Sequence, residues 1–183
     1  MLKLNFNSFP ILETERLNLR QLRADDEDAL FIMRSDEEVN KYIDRPLTKT
    51  IEEVREFIGV ISENTKRNEG LYWIITMKDS DAVAGSIVYW NIVPEKDQAE
   101  VGYTLMPGYE GKGIMHEALN GIMQYGFDTL KLERIEAYTH KDNERSKRLL
   151  ERNSFVRDEE AENMLTGDEA GILHVYALMR PTQ

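Results

Sequence analysis

The chain has 183 residues, 41% hydrophobic and 31% charged, with 34 acidic against 23 basic side chains and a net charge of −11. The acidic excess argues against nucleic-acid binding, which rests on Lys and Arg, and is compatible with a cationic partner. The absence of cysteine excludes disulfides, thiolate metal sites and a cysteine nucleophile.

The length fits a single domain over 1–183. No apolar run reaches membrane-spanning length, and Met1–Asn7 lacks the apolar core of a secretory signal, so a cytoplasmic protein is expected. Arg16 to Leu22 alternates polar and apolar residues, the pattern of a half-buried strand. Asp25 and Asp26 open a helix through Arg34, and a second helical piece covers Asp36 to Tyr42. Thr50 caps a longer helix to Lys66, with Glu53 placed to complete a capping box.

Leu71 to Met77 and Ala82 to Val93 read as a hairpin about the turn Lys78–Asp81, with Gly85 marking a bulge or a close approach. Ala99 to Met106 is the next strand, after a turn at Pro94–Asp97. Three glycines then fall within six residues, Gly108, Gly111 and Gly113, where that strand hands over to a helix spanning Lys112 to Thr129. A helix N-terminus offers unpaired N–H groups and partial positive charge, and glycines let an anion approach, so a phosphate or pyrophosphate is the expected guest. The helix places Met115, Ala118, Leu119, Ile122 and Gly126 on one face. Leu132 to Thr139 is a strand, Asn143 to Arg152 a helix, and Phe155 to Arg157 and Gly171 to Met179 are closing strands. This order gives a mixed α/β domain. The glycine run lacks Walker spacing, which argues against a P-loop nucleotidase.

Four segments in register with these elements resemble the GCN5-related N-acetyltransferase superfamily, and within it the bacterial ribosomal-protein N-terminal acetyltransferases. They are Leu12–Arg20, Ala99–Leu105, Gly111–Ala118 and Asn143–Phe155. The resemblance implies a twisted, mostly antiparallel sheet, flanked by helices and splayed between the fourth and fifth predicted strands, with acetyl-CoA in the gap. Coenzyme A pyrophosphate would meet the backbone of Gly108, Tyr109, Glu110, Gly111, Lys112, Gly113, Ile114 and Met115, and its pantetheine arm would pair with Leu105 and Met106. The chain departs from the family pattern at Gly108 (often Gln or Arg), His116 (Thr), Leu150 (a Tyr acid in many members) and Ser154 (Gly).

Acetyl transfer to an amine needs a proton acceptor, hydrogen-bond donors for the oxyanion, and a donor for the departing thiolate. Glu100 is the candidate base or amine anchor, and the alternative is a solvated or ion-paired strand residue. Ser146 is the candidate donor to sulfur, made more necessary by Leu150; the alternative is a helix residue bonded to its own backbone. Asn143 is expected both to cap its helix and to contact the cofactor. Tyr103 faces away from Glu100 and reads as core, with its hydroxyl within reach of the cleft. Trp73, Tyr89 and Trp90 read as core or cleft wall, and His116, His140 and His174 have no ligand spacing, so no metal is expected.

The expected activity is direct acetyl transfer to a primary amine. A protein N-terminus such as that of a ribosomal protein leads, a polyamine, antibiotic or other small amine is the alternative, and a non-catalytic coenzyme A-binding module is the alternative of another class. The acceptor pocket is expected from Phe31 to Tyr42, the helix after Thr50, and Tyr89 to Asp97. The branch resembled commonly dimerises, and Gly171–Met179 is the expected exposed pairing edge of a homodimer, with a monomer as the alternative.

Overall fold

The structure is a computed structural model describing residues 2–181; Met1, Thr182 and Gln183, the ends of the expected 1–183 span, lie outside the described residues. Eight strands form one sheet in the order β1-β2-β3-β4-β5-β6-β8-β7. They are β1 Leu12–Glu13, β2 Leu17–Gln21, β3 Leu71–Met77, β4 Val83–Val93, β5 Gln98–Leu105, β6 Arg134–His140, β7 Val156–Arg157 and β8 Leu173–Met179. Every neighbouring pair is antiparallel except β5 and β6. The helices are α1 Glu27–Ser35, α2 Glu37–Asn40, α3 Ile51–Lys66, α4 Ile114–Tyr125, α5 Glu144–Arg152 and α6 Glu159–Glu162.

Strand alternation sorts the core into two layers. On one face Leu17, Leu19, Trp73, Ile75, Ile87, Tyr89, Ala99, Val101, Ile135 and Ala137 meet α4 and Leu150 of α5. The apolar stripe of α4 is the one its sequence spacing marks: Met115, Ala118, Leu119 and Ile122 are buried against this face. On the other face Ile74 packs with Leu30 and Met33 of α1 and Val54 of α3. A charge is buried here as well: Arg20 on β2 grips both oxygens of Asp26, at 2.8 and 2.7 Å. Asp26 also accepts from the Arg23 N–H, so the pair fixes the turn that leads into α1.

The hairpin β3–β4 shifts register between Ile75 and Thr76, which leaves Ala84 without a β3 partner; its carbonyl accepts the Met106 N–H at 2.9 Å. A side chain at the neighbouring Gly85 would put its Cβ 2.3 Å from the Thr104 carbonyl, so bulge and close approach occur together.

Three expectations are corrected. The final strand is not an edge: β8 lies between β6 and β7, because the short β7 returns to pair with Ala177 and Tyr176. The Thr50 hydroxyl caps α3 through Glu53 N, but the Glu53 carboxylate accepts from Lys49 N, one residue before the cap. The helix expected over Lys112–Thr129 starts at Ile114 and passes into a π-helical turn over Gly126–Leu130. The cause of that last change is Tyr89, whose buried hydroxyl donates to the Ile122 carbonyl at 2.8 Å and lies where a Cβ on Gly126 would stand.

Candidate active site

The sheet opens where β5 and β6 part. They pair only over Gln98–Glu100 against Arg134–Glu136, and beyond Glu100 the β6-facing edge of β5 has no strand partner among the described residues. Its other edge stays paired with β4 from Val101 to Leu105. This is the splay expected between the fourth and fifth predicted strands, which are β5 and β6 because Leu12–Glu13 forms a strand of its own. An extended ligand laid along the free edge meets backbone N–H and C=O groups in the pattern a strand would. Met106 contributes less than expected, since its N–H is held by Ala84 O and its carbonyl accepts from Tyr109 N.

The free edge leads into the glycine loop. Gly108, Gly111 and Gly113 have φ of 85°, 72° and 74°, a left-handed backbone that side-chain-bearing residues rarely adopt. Gly113 is the N-cap of α4. The first cap bond runs from Glu117 N to Gly113 O, so the N–H groups of Ile114, Met115 and His116 precede it in the chain. Nothing lies within 4 Å of a Cβ built on Gly108 or Gly111, which leaves open space over the loop. Glu110 folds back to accept the Gly108 N–H at 2.8 Å, and Lys112 Nζ stands 5.4 Å from the Tyr109 ring centre. The Gly108 N–H is thus already taken up inside the loop.

Arg16 is a loop residue that the motif reading placed only in the opening strand. Its Nε is 2.6 Å from Glu117 Oε2, its Nη1 donates to the Lys112 carbonyl, and Glu117 also accepts from Thr14 and from Arg16 N. The turn before β2 thereby clamps the start of α4. The signal was Arg16 within the Leu12–Arg20 segment; its partner, 101 residues away, was invisible from sequence.

Across the gap stands α5. Asn143 caps it by accepting from Ser146 N at 3.1 Å, which realises one of the two roles expected of it. Ser146 Oγ lies 2.8 Å from Tyr103 Oη, so a hydroxyl pair spans from β5 to α5 within the splay. Tyr103 therefore reaches the cleft from the core face. Burial pushes its hydroxyl far above the ordinary phenol value, keeping it protonated.

Glu100 is half-buried on the opposite face, beside Trp90 on β4 and Glu136 on β6. Burial raises its carboxyl above the ordinary value, hydrogen bonds from Asn91 and Trp90 oppose that, and the charges of Glu136 and Glu169 add to it. Asn91 Nδ2 donates to Glu100 Oε2 at 2.7 Å. Tyr138, next to Glu136, is pushed up to about 12 by burial and by the Glu136 charge. Trp90 is 48% exposed, whereas Trp73 and Tyr89 are wholly buried core. Tyr42, just past α2, stacks 5.3 Å from the His140 ring at the end of β6, so the segment after α1 does cross this face.

Among the described residues, no three His, Cys, Asp or Glu side chains group as a metal site. A groove of about 450 Å³ lies beyond α5, lined by residues including Lys147, Glu151, His174 and Tyr176; none of the expected site residues lines it.

Residues 16–156 match the family model described as acetyltransferase (GNAT) domain. The chain is 33% identical over 150 residues to the uncharacterised N-acetyltransferase YoaA of Bacillus subtilis (strain 168), covering 82% of this chain and 85% of that protein. It is 30% identical over 123 residues to the ribosomal protein uS5-alanine N-acetyltransferase of Escherichia coli (strain K12), covering 67% and 63%. The fold is shared with RimL, the ribosomal L7/L12 alpha-N-protein acetyltransferase, in its complex with coenzyme A. The TM-score is 0.79 and the identity 21%, over 93% of this chain and 98% of that one.

Proposed function

From the premise that this chain belongs to the acetyltransferase (GNAT) domain family and is an N-acetyltransferase, we propose that Glu100 and Ser146 carry out transfer from acetyl-CoA to the N-terminal amine of a protein. The observation that carries the reading is the splay itself. One open strand edge runs from Glu100 to the glycine loop at the α4 N-terminus, with the Ser146 hydroxyl facing it across the gap. The backbone of Gly111 to Met115 holds the pyrophosphate, the edge of β5 through Leu105 aligns the pantetheine arm, and Asn143 fixes Ser146 beside it.

In this scheme the amine nitrogen attacks the thioester carbonyl, forming C–N as C–S breaks. The proton lost by the amine passes to the Glu100 carboxylate, whose raised pKa suits it to the task. The Ser146 hydroxyl donates to the departing sulfur, and Tyr103 orients that hydroxyl. A protein N-terminus as acceptor is supported by the relative named for uS5 alanine acetylation. The same reading takes residues 1–183 as a single cytoplasmic domain.

The test is thiol release from acetyl-CoA with a panel of peptides, amino acids and polyamines. Peptide turnover at the α-amine supports the reading, and turnover of polyamines alone rejects the protein acceptor. Tight coenzyme A binding with no turnover on any acceptor marks a binding module instead. If coenzyme A affinity survives both Gly111→Asp and Gly113→Asp, the loop assignment is wrong.

A further inference from the structure

The face of the sheet that carries Glu100 also carries two cations without a carboxylate. Arg34 ends α1 with its guanidinium 3.9 Å from the centre of the Phe57 ring, and its Nε donates to Thr48 Oγ1 at 3.3 Å. Arg45 gives Nε and Nη2 to Asn40 Oδ1, at 3.0 and 2.5 Å. Asn40 is itself buried and tied by its amide to the Met33 and Asp36 carbonyls, so Arg45 is held in place. Among the described residues, neither arginine forms an ion pair, although the chain holds 34 acidic side chains and Arg16, Arg20, Arg55, Arg134 and Arg157 all have one.

The Phe57 ring under Arg34 meets the Tyr72 ring edge-on at 5.6 Å, and Arg45 is depressed to about 10 by burial and by Arg34. Tyr72 donates to Ser86 across β3 and β4, on the face where Trp90 stands beside Glu100. Glu53 is near enough to act on Arg34 through space but pairs with neither arginine, so two half-buried like charges without an ion-pair partner favour an anion. At the other end of the same face Glu136 is paired with Arg134 at 2.7 Å, which leaves Glu100, bonded to Asn91 but in no ion pair among the described residues, as the carboxylate open to a cation. A Cβ at Gly102, between these ends, would press on Val88 at 3.2 Å and touch Trp90.

We infer that the acceptor bears a carboxylate set apart from its amine, and that Arg45 with Arg34 receives that carboxylate while the amine faces Glu100. The inference rests on the reading of Glu100 as the amine-facing group. A primary amine and a well-separated carboxylate occur together in a peptide with an acidic side chain near its N-terminus; a free α-amino acid carries both on one carbon and is too short to span the two ends. A polyamine has the wrong charge at the arginine end.

The experiment compares kcat/KM for peptides differing only in Glu, Gln or Lys at the second position. The expected result is about a 10- to 100-fold preference for the Glu peptide over the Gln and Lys peptides. Arg45→Gln and Arg34→Gln are expected to reduce that preference to within about threefold, with acetyl-CoA affinity unchanged. Equal turnover of anionic and neutral acceptors, or a preference that survives both substitutions, overturns the inference and leaves the transferase roles standing. No turnover on any acceptor while acetyl-CoA binds overturns those roles and this inference together. If Arg45→Gln does not fold, the unsubstituted protein's preference and Arg34→Gln decide it.

Discussion

At the residue scale the site depends on groups whose character burial changes. Burial raises the Glu100 carboxyl above the ordinary glutamate value, and in the proposed scheme only its deprotonated form accepts the amine proton. The acidic limb of the kcat/KM profile is therefore expected above the normal carboxylate range, with the rate rising as pH rises through it. Glu100→Gln should lower the rate by about 10²–10⁴-fold and abolish that limb, which a pH–rate profile checks. Tyr103→Phe should lower kcat with little change in KM for acetyl-CoA, because it removes the partner that orients Ser146 and leaves the glycine loop untouched. Glu100 and Ser146 were nominated from sequence by their place in the motifs, and the structure puts Ser146 beside Tyr103 and Glu100 beside Trp90 and Glu136. Tyr103 read as core because strand alternation puts it on the α4 face; its contact with Ser146 depends on how far the strands part. The Arg20–Asp26 pair is buried, so Asp26→Asn leaves a desolvated guanidinium half-satisfied. A loss of about 3 kcal/mol in denaturant unfolding is expected.

At the scale of elements, local rules set most boundaries and tertiary contacts moved the rest. Strand β3 lies where its aromatic and β-branched run puts it, and α4 buries the stripe its 3.6-residue period marks. The end of α4 was not legible, because the helical pattern continues past Tyr125. What changes the winding is the Tyr89 hydroxyl, reaching Ile122 from a strand 33 residues earlier. A Cβ at Gly126 would sit 2.6 Å from that hydroxyl. Gly126→Ala should therefore destabilise by about 1–3 kcal/mol although alanine is the better helix former, and a double mutant with Tyr89→Phe should recover part of the loss. The short α6 escaped a sequence reading because four residues carry too little periodicity to register.

At the scale of the whole molecule the determining event is the separation of β5 from β6 after three residue pairs. The strands on either side are fully paired, so the gap is a local feature of a continuous sheet. A bound pantetheine arm would complete the open edge. Acetyl-CoA is accordingly expected to slow amide exchange in Val101–Leu105 and to raise the melting temperature, by about 2.7 kcal/mol of stabilisation at 100 times Kd. Exchange unchanged in that segment on saturation would remove the edge-pairing assignment. The position of β8 is also a whole-molecule outcome. Its apolar alternation is equally compatible with an edge or an interior strand, and only the return of β7 covers it.

The sequence by itself determined the order of the longer elements, the glycine loop at a strand-to-helix junction and the family. Each rests on local periodicity, on backbone freedom at glycine, or on short motifs in fixed order. The tertiary structure decided what pairs across distance: Arg16 with Glu117, Tyr103 with Ser146, Tyr89 with the end of α4, and Arg34 with the Phe57 ring. Those relations depend on strand order and on where the sheet opens, and neither is encoded in any one segment of chain.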